Sequence, residues 1–389
     1  MEKICESDRC YGCGLCADIC PTGAIRMQSV AKAMHFRPVI DNAVCIDCKK
    51  CEKQCPANRK PQFNHNLITY AAWQTDPQKQ IGSSSGGVAA ALYETAVKQC
   101  RVIVGTIQNE SLTASLTIGD SLDDIERFRG SKYVQADTEG VYKKLADVLK
   151  QGKQALFIGT PCQCEAARSV AGANADKLLT VDLICHGVPS QKILTDYIAW
   201  VGSQTGKPVD ALSFRSDWGE EMQLFSGGKR IWARRVYWDY YLHLFSYGYS
   251  VNDACFQCPY ACDRRASDLT IGDFWGIGKT VPFESPMRSV SVIGVNTEKG
   301  KQYLEMCDQL TLVEREWSEA VNGNSQLQAP HEKSPQYDLF WDTYHKSGID
   351  SAIHATVYDK VTTRYKKEYP RIAMKSKIKS VIKGVIGKK

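Results

Sequence analysis

The chain carries one ligand pattern twice near its start. Cys10, Cys13, Cys16 and Cys20 are followed by Pro21, and Cys45, Cys48, Cys51 and Cys55 by Pro56. The spacing C-x-x-C-x-x-C-x-x-x-C-P lets three thiolates of one tight loop hold three irons of a cubane, while the fourth cysteine of each run ligates the other cluster. One [4Fe-4S] cluster is therefore expected on Cys10, Cys13, Cys16 and Cys55, and a second on Cys45, Cys48, Cys51 and Cys20. Gly12 and Gly14 lie between ligands of the first loop, where a residue without a side chain tolerates positive φ and leaves N–H groups free to face the sulfurs. The second loop has Asp47, Lys49 and Lys50 there instead.

Structural zinc is usually served by separated pairs of ligands rather than crowded runs of four. Disulfides need an oxidising compartment, and the first thirty residues carry no apolar core of signal-peptide length, so a reducing cytoplasm is the expected location. The duplicated pattern resembles the bacterial two-cluster ferredoxin module, an α+β unit of about sixty residues. The chain has 389 residues, which leaves room for a large second unit that uses the electrons. No apolar run reaches the roughly 18 residues that span a bilayer. The net charge of +6 hides an asymmetry: residues 360–389 hold eleven Lys or Arg and one acid, and the rest of the chain sits at −4. That body is not a basic nucleic-acid binder.

The domain reading is a ferredoxin-type module over 1–60, a polar linker over 61–66, a large domain over 67–350 in two parts (67–150 and 151–350), and a basic tail over 351–389. Within the large domain strands are expected at Leu67–Trp73, Arg101–Ile107, Gln154–Gly159 and Leu178–Ile184. Helices are expected at Ser85–Lys98, Thr138–Lys150, Pro161–Val170 and Ser190–Val201. That alternation implies an α/β sheet. Beyond residue 209 the chain is richer in aromatics and glycine, with short strands read at Phe214–Ser216, Leu224–Gly228 and Leu269–Ile271.

Three strand-to-loop junctions carry unusual residues. Gly82 to Gly87, a Ser/Gly run, precedes an Ala-rich helix whose free N–H groups suit a phosphate, although a turn that merely caps the helix has the same composition. Thr160, Pro161, Cys162, Gln163 and Cys164 follow an apolar strand, at the edge where ligands of open α/β sheets collect. Cys185 and His186 end the next strand; neighbours there point in different directions, which argues against a thiol-protease pair. Cys255, Cys258 and Cys262 repeat a metal-ligand spacing. They need a fourth ligand, which Cys162, Cys164 or Cys185 could supply, with Cys162 favoured and Cys185 second. A zinc site is the alternative for such a set.

Ser85-Gly86-Gly87-Val88, Gly130-Ser131-Lys132-Tyr133-Val134, Gly159-Thr160-Pro161-Cys162-Gln163, Cys185-His186-Gly187-Val188-Pro189 and Gly272-Asp273-Phe274-Trp275-Gly276 resemble, in order, the coenzyme F-420 hydrogenase/dehydrogenase beta-subunit family. The likeness runs from about residue 67 to 310. Cys164 departs from it, standing where the family motif usually continues with an apolar residue. The resemblance implies an α/β, mixed-sheet domain that binds FAD and an iron–sulfur cluster, fused here to the ferredoxin module. It implies that flavin is held by Ser84, Ser85, Gly86, Gly87, Lys132, Thr160, Pro161 and Asp273. A third [4Fe-4S] cluster would sit on Cys255, Cys258, Cys262 and Cys162.

A flavin exchanges hydride for single electrons and a cubane moves one electron at a time, so a chain with both is built to convert between the two regimes. The expected function is an oxidoreductase that acts on a small molecule or deazaflavin and exchanges electrons with ferredoxin or another redox partner. His186 is the candidate proton donor, against a structural role. Two other readings stand: an electron-transfer subunit with no substrate of its own, and a redox sensor without flavin. In the tail, Met374, Ile378, Val381, Ile382, Val385 and Ile386 fall at helical spacing among lysines. Residues 371–389 are thus read either as a peripheral contact with anionic membrane or as a basic end docked on the acidic body.

Overall fold

The computed structural model describes residues 1–30, 32–81, 83–216, 219–284 and 289–370. Both cysteine runs flank a hairpin, β1 (Ile25–Val30) and β2 (His35–Ile40), paired antiparallel from Ile25 opposite Ile40 to Val30 opposite His35. Each run ends its loop in a single helical turn, Leu15–Asp18 and Lys50–Gln54. The turns start at Gly14 and Lys49, both left-handed.

The larger sheet begins with β3 (Ile68–Gln74), β4 (Val102–Gln108), β5 (Ala114–Gly119), β6 (Ala155–Gly159) and β7 (Leu178–Leu183). The chain then forms a separate antiparallel meander of β8 (Ala211–Ser216), β9 (Gly219–Ser226) and β10 (Lys229–Arg235). It returns as β11 (Leu269–Asp273), β12 (Ser291–Val295) and β13 (Leu310–Arg315). The eight-stranded order is β13-β3-β12-β11-β7-β6-β4-β5. Its centre, β4-β6-β7-β11, is parallel, and the outer pairings are antiparallel. The fold class is α/β with a mixed sheet. Parallel strands covered on both faces become continuous apolar runs, and β6 is buried at every residue. Helices Val88–Lys98, Leu122–Phe128 and Glu298–Glu305 cover one face; Val141–Lys150 and Pro161–Ala171 cover the other.

The described residues fall into two compact units, Met1–Thr195 with Ser250–Glu332, and Asp196–Tyr249 with the chain from Lys333 onward. The ferredoxin-like segment belongs to the first unit and shares its core. Leu15, 1% exposed, packs in one cluster with Tyr142, Leu145 and Phe157. Asp18 caps a helix of the large domain: its carboxylate accepts from Gly140 N and Tyr142 N, each at 2.8 Å. Gly140 has no side chain to do so itself. Stretch 56–66 is pinned as well, with Asn64 N donating to Arg265 O at 2.8 Å and Arg59 reaching Glu165 and Ser169. In the second unit Tyr197, Tyr241, Phe340 and Trp341 are fully buried, consistent with the aromatic bias of its sequence.

Among the described residues no helix is long and apolar enough to cross a membrane. Residues 371–389, read above as a membrane contact, lie outside the described residues.

Candidate functional site

Three groups of cysteines gather in the first unit. Cys10, Cys13, Cys16 and Cys55 line one cleft of about 330 Å³ together with Tyr11, Met27, Pro38 and Pro56. Backbone N–H groups meet each sulfur: Gly12 at Cys10, Leu15 at Cys13, Ala17 at Cys16, and Ala57 and Asn58 at Cys55. Gly12 (φ +65) and Gly14 (φ +77) supply the left-handed turns this requires. They also allow close docking, since a Cβ at Gly12 would lie 2.2 Å from Gln135 Nε2 and one at Gly14 2.0 Å from Thr138 Oγ1. A fifth sulfur is present. Cys5 lines the same cleft, its thiol beside those of Cys10 and Cys55. That contact pulls Cys10 down to about 6 and lowers Cys55, while it drives the Cys5 thiol far up.

The second group holds Cys51 beside Cys20 and Cys48, with Lys49 near Cys45. Thr22, Gly23 and Ala24 present N–H groups to Cys20. Cys48 is exposed and Ile46 is 65% exposed, so this group is the one nearest solvent.

The third group is formed by four residues from three segments: Cys162, Cys185, and the loop that carries Cys255 and Cys258. Cys255 lies among Cys185, Cys258 and Cys162, and each of the other three neighbours members of the same set. Burial, then the like charge of neighbouring sulfurs, pushes Cys255 well above its ordinary value. Burial leads in raising Cys162, Cys185 and Cys258 to about 12. Again every sulfur has a backbone partner: Gln163 for Cys162, Gly187 for Cys185, Val188 for Cys255, and Tyr260 and Ala261 for Cys258. Buried, mutually repelling thiols with N–H donors aimed at them fit a cationic iron–sulfur centre, which displaces their protons.

The placement differs from the spacing-based expectation at two positions. Cys262 turns its Sγ away, 3.3 Å from Arg264 O and 3.5 Å from Pro259 O. Cys185 occupies the group alongside Cys162 rather than as its substitute. Cys164 is a core residue, 1% exposed, with Sγ 3.4 Å from Val181 O. Among the described residues no three His, Cys, Asp or Glu side chains gather as ligands of a single metal ion.

Behind the third group lies Arg265, with its side chain 2% exposed. It donates to Asp182 Oδ1 (2.8 Å), Tyr260 O (2.9 Å) and Thr270 Oγ1 (3.2 Å). It thereby ties β7, which leads to Cys185, to the loop that carries Cys258. Its charge favours the thiolate at both cysteines.

The groups adjoin one another. Cys16 neighbours Cys51 of the second group, and Cys13 neighbours Cys162 of the third. Tyr11 is close to Cys13, Cys162 and Cys258, edge-on to Tyr260 with ring centroids 5.9 Å apart. Tyr142 neighbours Cys13 and Cys162 from the other side.

The flavin candidates are more dispersed. Gly87 (φ +80) begins helix Val88–Lys98, whose first turn has no side-chain cap, and the Ser84 hydroxyl beside it is buried without a partner among the described residues. Both fit a phosphate. Gly86 is committed elsewhere: its N–H donates to Ser291 Oγ at 2.9 Å, and a Cβ would strike Ala72 O at 2.3 Å. Ser85 Oγ donates to Val290 O. Lys132 Nζ caps the end of Leu122–Phe128 through Phe128 O (2.9 Å) and Arg129 O (2.7 Å), and burial lowers it to about 8. Thr160 and Pro161 open the helix that presents Cys162; Thr160 Oγ1 is 3.2 Å from that sulfur. His186 stands edge-on to the exposed Trp275, centroids 4.9 Å apart, and Asp273, two residues before that indole in the chain, ends β11.

Residues 9–59 match the 4Fe-4S dicluster domain, and residues 152–318 match the family described as the C terminus of the coenzyme F420 hydrogenase/dehydrogenase beta subunit. The chain therefore joins an iron–sulfur dicluster domain to a region that matches the C terminus of that beta-subunit family. It is 26% identical over 213 residues to a subunit of the F(420)H(2) dehydrogenase of Methanosarcina mazei, a match that takes in 50% of this chain and 60% of that one. The chain thus spans less than two thirds of that relative's length. A ferredoxin of Methanocaldococcus jannaschii is 33% identical over 58 residues, or 15% of this chain and 73% of that protein. Among solved structures, the F420-reducing [NiFe] hydrogenase complex of Methanosarcina barkeri includes a chain with TM-score 0.46 and 16% identity, covering 76% of this chain and 92% of that one.

Proposed function

We propose that this protein is an iron–sulfur flavoprotein oxidoreductase that passes electrons along a fixed series of sites. The observation that carries the reading is the adjacency of the three cysteine groups, second to first through Cys51 and Cys16, first to third through Cys13 and Cys162. In this reading Cys162, Cys185, Cys255 and Cys258 hold the third cluster, and Cys262 stays outside it. Clusters so held supply one-electron steps and FAD supplies the exchange with hydride. The protein's part is to fix the sulfurs through backbone N–H groups, to keep Arg265 charged beside the third set, and to exclude water with Tyr11, Tyr142 and Tyr260. Ser84 and the uncapped start of Val88–Lys98 are the best-supported part of the flavin site. His186, next to Cys185 in the chain, is the imidazole that could give a proton to a flavin or substrate.

The names of the relatives favour a deazaflavin as the hydride partner. They also favour a second reading, an electron-transfer subunit that works only within a larger assembly, because the Methanosarcina mazei relative is named as a subunit. Anaerobic purification with iron, acid-labile sulfide and flavin counted tests the first reading. Three clusters and one FAD per chain are expected; protein that takes up no flavin on reconstitution would overturn the flavoprotein reading. Turnover of a reduced deazaflavin with viologen by the isolated chain separates an enzyme from a dependent subunit.

A further inference from the structure

Sequence spacing gives Cys5 no role, since it stands five residues ahead of the first run. In the structure it is the fifth sulfur of the cleft formed by Cys10, Cys13, Cys16 and Cys55, beside Cys10 and Cys55. Its position is held from two directions. The preceding residue, Ile4, is 4% exposed and packs with Ile25 and Cys51. The Ile4 carbonyl accepts from Asn58 Nδ2 at 2.8 Å, and the same amide donates to Glu52 O at 3.1 Å. Asn58 also donates its backbone N–H to Cys55 O at 3.1 Å. Cys5 is therefore tethered to the turn that carries Cys55, on the inside of the cleft. Cys100, by contrast, is exposed, and Cys307 is buried in the sheet core with its Sγ on Tyr303 O.

We propose that Cys5 is a reserve ligand of the first cluster, able to replace Cys10 or Cys55 on the iron that either one holds. The exchange balances without any outside reagent. The bond from iron to the departing sulfur breaks, the Cys5 sulfur bonds to the same iron, and the Cys5 proton passes to the departing thiolate beside it. No electron moves. Such a device keeps the cluster bound when one ligand is oxidised or displaced, which matters for a low-potential cluster exposed to oxygen. The proposal rests on the first cluster being present, and the native protein's own iron count tests that separately.

The test uses the full chain prepared anaerobically, with iron and acid-labile sulfide counted and the reduced clusters observed by electron paramagnetic resonance. Cys5→Ala alone should keep the native iron content. Cys10→Ala and Cys55→Ala should each be examined with Cys5 present and with Cys5→Ala added. The expected result is that at least one of the two single variants keeps all its iron with a shifted resonance. Its double variant should lose one cluster's iron and sulfide, while the second cluster's signal persists as proof that the module is folded. The proposal is overturned if both single variants lose that cluster as fully as their doubles do, or if the doubles keep it. Should a double fail to fold, Cys5→Ser in the same background decides: a serine ligand would move the resonance again, and an unchanged spectrum counts against ligation by residue 5.

Discussion

Gly14 and Lys49 hold equivalent places in the two cysteine loops, with φ of +77 and +60. Left-handed backbone costs a residue with a Cβ about 1–2 kcal/mol, and glycine loses about 0.5–1 kcal/mol of that advantage to chain entropy. Lys49→Gly should therefore leave stability unchanged or raise it by less than about 1 kcal/mol. Its exposed ion pair with Asp47 at 3.2 Å adds little. Gly14→Ala should instead be clearly destabilising, because the new methyl also meets Thr138 Oγ1 at 2.0 Å. The midpoint of cluster loss in anaerobic denaturant should rank Gly14→Ala well below the native chain and Lys49→Gly at or just above it. The glycines of the first loop were legible as turn formers, but their second duty, admitting the large domain, needs a partner distant in the chain and leaves no local mark. The same holds for Cys185 and Cys262. Spacing nominates Cys262, while the fold turns it toward Arg264 O and brings Cys185 in from another strand. Cys185→Ala should accordingly remove the third cluster's iron and Cys262→Ala should not; the opposite pattern in metal analysis would restore the sequence-based ligand set.

Elements were legible where their periodicity is local. The helices Val141–Lys150 and Pro161–Ala171 and strands β4, β6 and β7 fall within a few residues of their expected places. β5, β12 and β13 pass unnoticed: β12 and β13 pair with β3, far off in the chain, while β5 is the hairpin neighbour of β4 and carries a short alternation of apolar and polar residues. The start of Val141–Lys150 shows why: its cap is Asp18, contributed by the cysteine segment. Asp18→Ala should cost about 1–2 kcal/mol and speed hydrogen exchange at the amides of residues 140–143. Unchanged exchange there would mean that the cap is dispensable. In the second unit helix Tyr240–Ser246 has two buried titratable groups with opposite pH behaviour. Burial raises Asp239 to about 6, although Tyr197 Oη and Trp232 Nε1 donate to it, with Arg234 nearby. Burial lowers His243 to about 4, assisted by Lys360 and Arg364. The acid, raised in the folded state, loses stability as pH rises from its ordinary value of 3.8 to about 6. The imidazole, lowered in the folded state, gains stability as pH rises from about 4 to 6.5. The two slopes largely cancel. His243→Phe removes two buried ring nitrogens that have no partner and should be neutral or stabilising. It should also expose the Asp239 slope, so that this unit melts lower at pH 6 than at pH 4.

For the whole molecule, the two-cluster segment and the α/β class were readable from cysteine spacing and the alternation of apolar runs. Their fusion into one unit was not. A polar stretch at 56–66 reads as a tether, yet Leu15, Asp18, Gln135 and Thr138 bind the segment to the sheet domain. Rigid docking is what a one-electron path demands, because it holds Cys13 beside Cys162 at all times instead of by chance encounter. The exposed second group, with Ile46 and Cys48 at the surface, is the natural entry for a partner protein. In the proposed series the third group is then the intermediate between that entry and the flavin. Cys258→Ala should remove it and leave the dicluster segment and the proposed flavin residues intact, since Cys258 belongs to neither. With a reduced ferredoxin as donor, rapid mixing should show the segment's clusters reduced at the native rate. Flavin bleaching should lag far behind. Flavin reduced as fast as in the native protein would mean that electrons bypass the third group, and the series would have to be redrawn with the flavin beside Cys10 and Cys13.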